Sequence, residues 1–142
     1  LRDLFSDDIS RRDVSIKPKF GKVCISTYCF DVEIVDRPIL RSLGLMGRES
    51  LPLRSGMWFV FDGLGKYTFW MKNMLISLDI LFVNEQFEIV HLVENARPCS
   101  TDDCKLYKTR FNAKYVLEIN AGLSSRYGFS EGDMVVFSGV SN

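Results

Sequence analysis

The stretch MLISLDILFVNEQFEIVHLVE, residues 74–94, decides the fold class. It holds two short apolar runs, LDILFV and FEIVHLV, separated by Asn84-Glu85-Gln86. Each run is too short for a buried helix, is rich in β-branched and aromatic residues, and is bounded by turn formers. That pattern predicts two strands joined by a tight turn. Within the first strand, Leu78, Ile80 and Phe82 share one face, and Asp79 shares the other with Leu81.

The same reading extends outward. CFDVEIV (29–35) alternates, with Phe30, Val32 and Ile34 opposite Asp31 and Glu33, as a half-buried strand does. VCIST before it belongs to the same strand or to its hairpin partner. GMWFVFDGLGKYTFWMKN (56–73) reads as two strands, 57–61 and 66–71, around a glycine-bearing connection at Asp62–Gly65. AKYVLEINAG and GDMVVFSG supply further strands. Between residues 36 and 47 the period changes to that of a helix. Asp36 is a candidate cap, Pro38 fits the first turn, Ile39, Leu40, Leu43 and Met46 share a face, and Gly44 or Gly47 can end it. A second short helix follows Asn120, which can cap it. The expected architecture is mainly β (α+β): six to eight strands in a mostly antiparallel sheet, with one or two short helices.

Length predicts one domain, with a charged tethering arm over 1–19 and the β-rich unit over 20–142. Lysine plus arginine equals aspartate plus glutamate at eighteen each, and no basic stripe stands out, which argues against a nucleic-acid partner. LYKTRFNAKY (106–115) mixes positive charge with aromatics and reads as a solvated edge. No apolar run reaches the length of a membrane helix.

Four cysteines fall at 24, 29, 99 and 104. Cys99 and Cys104 flank a four-residue loop that a disulfide can close, contributing about 2 kcal/mol. A metal site that adds His91, or a redox pair, is the weaker alternative, because zinc and redox cysteines favour other spacings. No metal and no cofactor is expected. Cys24 and Cys29 lie five apart and point to opposite faces if one strand carries both, so they pair only if the strand breaks between them.

FWMKN (69–73) raises the functional question. Phe69 and Met71 share one face, Trp70 and Lys72 the other, and Lys72-Asn73 stand where the aromatic packing ends. A carboxylate inside an apolar strand, Asp79, requires a cationic or amide partner. Arg41, Arg48 and Lys72 are the available cations. Two readings follow. In one, Asp79 braces the helix of residues 36–47, after the first strand, against the sheet. In the other, Arg41, Arg48, Trp70, Lys72, Asn73 and Asp79 surround a shallow pocket for an anionic or hydroxylated small molecule, with Met46 and Met71 completing its apolar wall.

RSLGLMGRESLPLRSGMWFVF, FWMKNMLISLDILFV, ARPCS and AKYVLEINAG, in this order, resemble a family of small bacterial and archaeal domains, domain of unknown function family 192. The likeness covers roughly residues 22 to 138. It implies a compact, barrel-like β-rich fold and a protein often exported or lipid-anchored, but no reaction. This chain departs from the family pattern at Met74, where threonine is usual, and at Ser77, where proline is usual.

Two functions are carried forward. One is a non-catalytic binding or accessory domain outside the cytoplasm, for a small polar or saccharide-like ligand or a protein partner. The alternative is a small enzyme using Lys72, Asn73 and Asp79 on a polar substrate. No nucleophile–base pair is evident, which favours the first.

Overall fold

The computed structural model describes residues 17–140. Most of the expected N-terminal arm therefore lies outside the described residues.

Strand β1 (Lys19–Ile25) and strand β2 (Tyr28–Val35) form an antiparallel hairpin. The turn is Ser26-Thr27, with Ser26 at φ 55. Helix α1 (Pro38–Leu43) follows, with Pro38 in its first turn and Gly44 at its C-terminal cap. Asp36 does not cap it. The residue before the helix is Arg37, and the Asp36 carboxylate instead accepts from Lys19 Nζ at 2.8 Å. The crossover through α1 makes strand β3 (Ser55–Gly65) parallel to β2.

The other strands are β4 (Thr68–Phe69), β5 (Leu78–Val83), β6 (Ile89–Ala96), β7 (Tyr107–Lys108), β8 (Ala113–Asn120) and β9 (Val135–Val140), with helix α2 (Leu123–Tyr127) before the last. The main sheet runs β6-β5-β8-β3-β2-β1-β9, and every pairing except β2–β3 is antiparallel. β4 and β7 make a separate two-stranded sheet.

The expected connection at Asp62–Gly65 is not a hairpin turn. β3 continues through it, and β4 pairs with β7 rather than with β3. What joins the two segments is Tyr67: its ring stacks on Phe61 with centroids 3.7 Å apart, and its hydroxyl donates to Gly63 O. The turn at Asn84–Gln86 is as expected, and the Asn84 side chain organises it by accepting from the N–H groups of Gln86 and Glu88.

β5 is buried on both faces. Leu78, Ile80 and Phe82 pack with Met57, Phe59, Met71 and Val116. Leu81 and Val83 pack with Val23, Trp58, Leu117 and Leu123. Each such side chain contributes about 1.5–3 kcal/mol by leaving water. A single sheet can bury both faces only if something covers each of them. Leu45, Met46 and Phe69, from the segment after α1 and from the small sheet, close over the first face. The second is closed by curvature, since the core behind it joins Val23 and Val135 of one sheet edge to Ile89 of the other.

The two edges touch at one bridge, Glu88 with Met134. Ile89 N–H donates to Asp133 O at 2.9 Å, and Val135 N–H donates to Phe87 O at 2.8 Å. Beyond that seam β6 and β9 are not paired, so the curled sheet is not closed into a barrel.

Candidate functional site

Asp79 is fully buried, but among the described residues no cation pairs with it. Its Oδ1 accepts from Asn95 N–H at 2.9 Å and Gly122 N–H at 3.2 Å, and its Oδ2 accepts from Ser124 N–H at 2.9 Å. The carboxylate thus replaces the missing intrahelical acceptors at the start of α2 and ties that helix to β5 and β6. Bracing of a helix is the role it fills, although the helix is α2 and not α1. Asn120, expected to cap α2, faces away and donates to Leu51 O at 2.8 Å.

The remaining candidates lie around one junction. Gly47 N–H donates to Asn73 O at 3.3 Å, Asn73 N–H to Cys99 O at 3.2 Å, and Cys99 N–H to Met71 O at 3.1 Å. Three segments far apart in sequence, GLMGR, FWMKN and ARPCS, are stitched together here. Asn73 sits at φ 64, a left-handed conformation that asparagine tolerates better than most residues. Gly47, at φ 77, needs the same freedom.

Lys72 lies over the Trp70 ring, 5.5 Å from its centroid, and reaches Asp102 at 3.1 Å. The half-buried Trp70 keeps its indole Nε1 shielded, with no acceptor for it among the described residues. Cys99 and Cys104 form a disulfide, which closes the loop that carries Asp102. Met46 and Met71 are core side chains and line no open wall.

Cys24 and Cys29 also form a disulfide. The strand breaks between them at Ser26-Thr27, so they become directly opposed residues of a hairpin. Their Cα atoms are 4.0 Å apart, near the spacing of a non-hydrogen-bonded cross-strand pair.

Arg41 turns away from this junction. It donates to Val60 O at 2.9 Å and covers the Phe61 ring at 5.1 Å. Arg48 points toward the β1–β2–β3 part of the sheet and pairs with Glu33 at 2.9 Å. The pair lines a cleft of about 500 Å3, bounded also by Phe20, Asp31, Leu51, Pro52 and Ser55. The strand register builds its floor: Phe20 stands opposite Glu33, and Asp31 opposite Ser55. Arg48, Leu51 and Pro52, from the segment between α1 and β3, form its wall. Of the six polar candidates, Arg48 lines this cleft, Trp70, Lys72 and Asn73 form the neighbouring junction, and Arg41 and Asp79 serve packing. Phe20, Asp31, Glu33 and Ser55 were not candidates in the sequence. The outward alternation of Asp31 and Glu33 was visible there, but the parallel β2–β3 pairing that sets Ser55 beside them was not.

His91 is on the far edge of the sheet. Its Nδ1 is 3.7 Å from Glu131, which also pairs with Arg110 at 2.9 Å. Burial holds its pKa below the ordinary value near 6.5, Glu131 works against that shift, and Arg110 adds to it. Among the described residues no three His, Cys, Asp or Glu side chains gather as a metal site, and no helix is long and apolar enough to cross a membrane.

The chain belongs to the DUF192 family, described as Uncharacterized ACR, which matches residues 22–137. It is similar to a candidate transcription regulator from Sinorhizobium meliloti, with 31% identity, a TM-score of 0.76, and coverage of 87% of this chain and 96% of that one. It is also similar to a protein of unknown function from Novosphingobium aromaticivorans, with 28% identity, a TM-score of 0.74, and coverage of 90% and 98%. No curated protein matches it.

Proposed function

We propose that this is a non-catalytic binding domain of an oxidising, extracytoplasmic compartment, and that it takes a small polar ligand in the cleft lined by Arg48. The cleft itself carries the reading. Its volume of about 500 Å3 falls among small-molecule sites, roughly 300–1,000 Å3. Its lining mixes apolar surface with a few convergent polar groups, as such sites do. Both cysteine pairs are oxidised, which supports an exporting route.

The enzyme reading is weaker. Of its three residues, Asp79 already spends both oxygens on backbone amides. Lys72 is paired with Asp102 instead. A protein partner would call for a flat apolar patch near Trp58 or Trp70, but Trp58 is fully buried between Tyr115 and Phe137, and Trp70 is half-buried with Lys72 over its ring.

The test is a fragment screen of small polar molecules against the 15N-labelled protein. At least one fragment is expected to shift the amides of Gly21, Ser55 and Gly56. Arg48→Ala is expected to abolish that response while keeping the fold, because a half-exposed ion pair contributes within about 1 kcal/mol. Shifts confined to other regions would overturn the assignment.

A further inference from the structure

We infer that the cleft beside Arg48 selects a neutral or amine-bearing polyhydroxylated ring, a saccharide-class ligand, and rejects anions. The inference rests on the cleft being the binding site and goes further by naming what it holds.

Charge is the first argument. The lining holds one cation, Arg48, against two carboxylates, Asp31 and Glu33. Arg48 is committed to Glu33 at 2.9 Å. Asp31 is exposed, and Lys22, directly across the β1–β2 ladder from it, makes no hydrogen bond or ion pair to its carboxylate among the described residues. A phosphate or carboxylate entering here would meet two like charges and a guanidinium already neutralised, so it is repelled at close range. Hydroxyl or ammonium donors meet the opposite situation. Asp31 is an available acceptor, Ser55 can donate or accept, and a guanidinium keeps further N–H groups after one is used.

Shape and apolar surface supply the second argument. Phe20 is 48% exposed and stands directly across the β1–β2 ladder from Glu33. An exposed aromatic face beside a carboxylate can take the C–H face of a sugar ring while the carboxylate takes its equatorial hydroxyls. Leu51 and Pro52 offer a second apolar surface on the facing wall. A wholly apolar ligand fits poorly, because it would strip water from Asp31 and Glu33 without replacing the hydrogen bonds.

The floor is also rigid. Two adjacent ladders fix Phe20, Asp31, Glu33 and Ser55, and the Cys24–Cys29 bridge closes the hairpin that carries three of them. Preorganised polar groups lose less entropy on binding.

The experiment is a titration of the 15N-labelled protein with glucose, glucosamine and glucose 6-phosphate, each to its solubility limit. Glucose and glucosamine are expected to shift the amides of Phe20, Asp31, Glu33 and Ser55. The phosphorylated sugar should bind at least about tenfold more weakly, the scale of one lost charged contact. Phe20→Ala and Asp31→Asn alter exposed side chains, so the fold should survive, and each should weaken glucose binding by about tenfold or more. If glucose 6-phosphate binds as tightly as glucose, the stated class is wrong while the cleft remains a site. If the sugars leave these amides unmoved while a fragment of other chemistry shifts them, the class is again wrong. If neither sugars nor fragments shift them, the site itself falls.

Discussion

Asp79 and Lys72 are seven residues apart, and each looks out of place beside the apolar run that follows FWMKN. The molecule treats them in opposite ways. Asp79 is fully buried and saturated by backbone amides from β6 and from the start of α2. Lys72 keeps 28% of its side chain exposed, lies on Trp70, and pairs with an Asp102 that is fully in solvent. One polar group is part of the architecture and the other is held at its border. A charge inside a strand therefore need not mark chemistry, since main-chain donors can satisfy it as well as a cation can.

The contrast is open to attack at several points. Removing Asp79 should have the largest effect. Asp79→Ala leaves three N–H groups without their acceptor, that of Ser124 buried and those of Asn95 and Gly122 partly so, and opens a void in the core, so urea denaturation should show a loss of about 3–5 kcal/mol. Asp79→Asn keeps one good acceptor and should cost less. A loss for Asp79→Ala as small as that of a surface substitution would erase the distinction. Next comes the clasp over FWMKN. Replacing Cys99 and Cys104 by serine should lower stability by about 2 kcal/mol. Native-state hydrogen exchange should speed up at Asn73 and Cys99 but not at Gly122 or Ser124, because only the first pair lies in the clasp.

A third probe is pH. Burial lowers the pKa of His91, so the unfolded chain takes up its proton first as the pH falls. The His91 contribution is whole above about 6.5 and is lost as the pH drops through the lower folded value. Thermal melts should show that loss in the wild type, and His91→Gln should flatten it. The smallest effect belongs to Lys72. Lys72→Ala should change stability by less than about 1 kcal/mol, because its partner is fully exposed and screened. A larger loss, measured in the same urea titration, would move Lys72 into the architecture beside Asp79.

Local chemistry was legible in the sequence where the chain pairs with itself over short distances. The hairpin around Asn84–Gln86, the alternation of CFDVEIV, Pro38 and Gly44 at the ends of α1, and the Cys99–Cys104 loop all depend on neighbours. Alternation also placed Asp79 and Leu81 on the face opposite Leu78, Ile80 and Phe82. The hidden features depend on distant partners. Nothing near Gly63 says that β3 continues and that β4 will find β7. Nothing near Asp79 announces that Asn95, Gly122 and Ser124 will supply its donors. Cys24 and Cys29 turned on one detail, whether Ser26 adopts a left-handed conformation, and serine gives weak warning of that. The cleft was half visible. Arg48 was a candidate, but its floor needed the parallel pairing of β2 and β3 across the α1 crossover.

The pairing of β1 with β9 bears on timing. The first described strand finds one of its two neighbours in the last, across more than a hundred residues. While a ribosome still holds the C-terminal segment, β1 has only β2 beside it, and the core contact between Val23 and Val135 cannot form. The sheet is therefore completed only once the residues of β9 have left the ribosome, and the loop-closure entropy falls on a late step. Until then the nascent chain carries an unpaired strand edge, the state in which a polypeptide is easiest to thread and most in need of a holding chaperone.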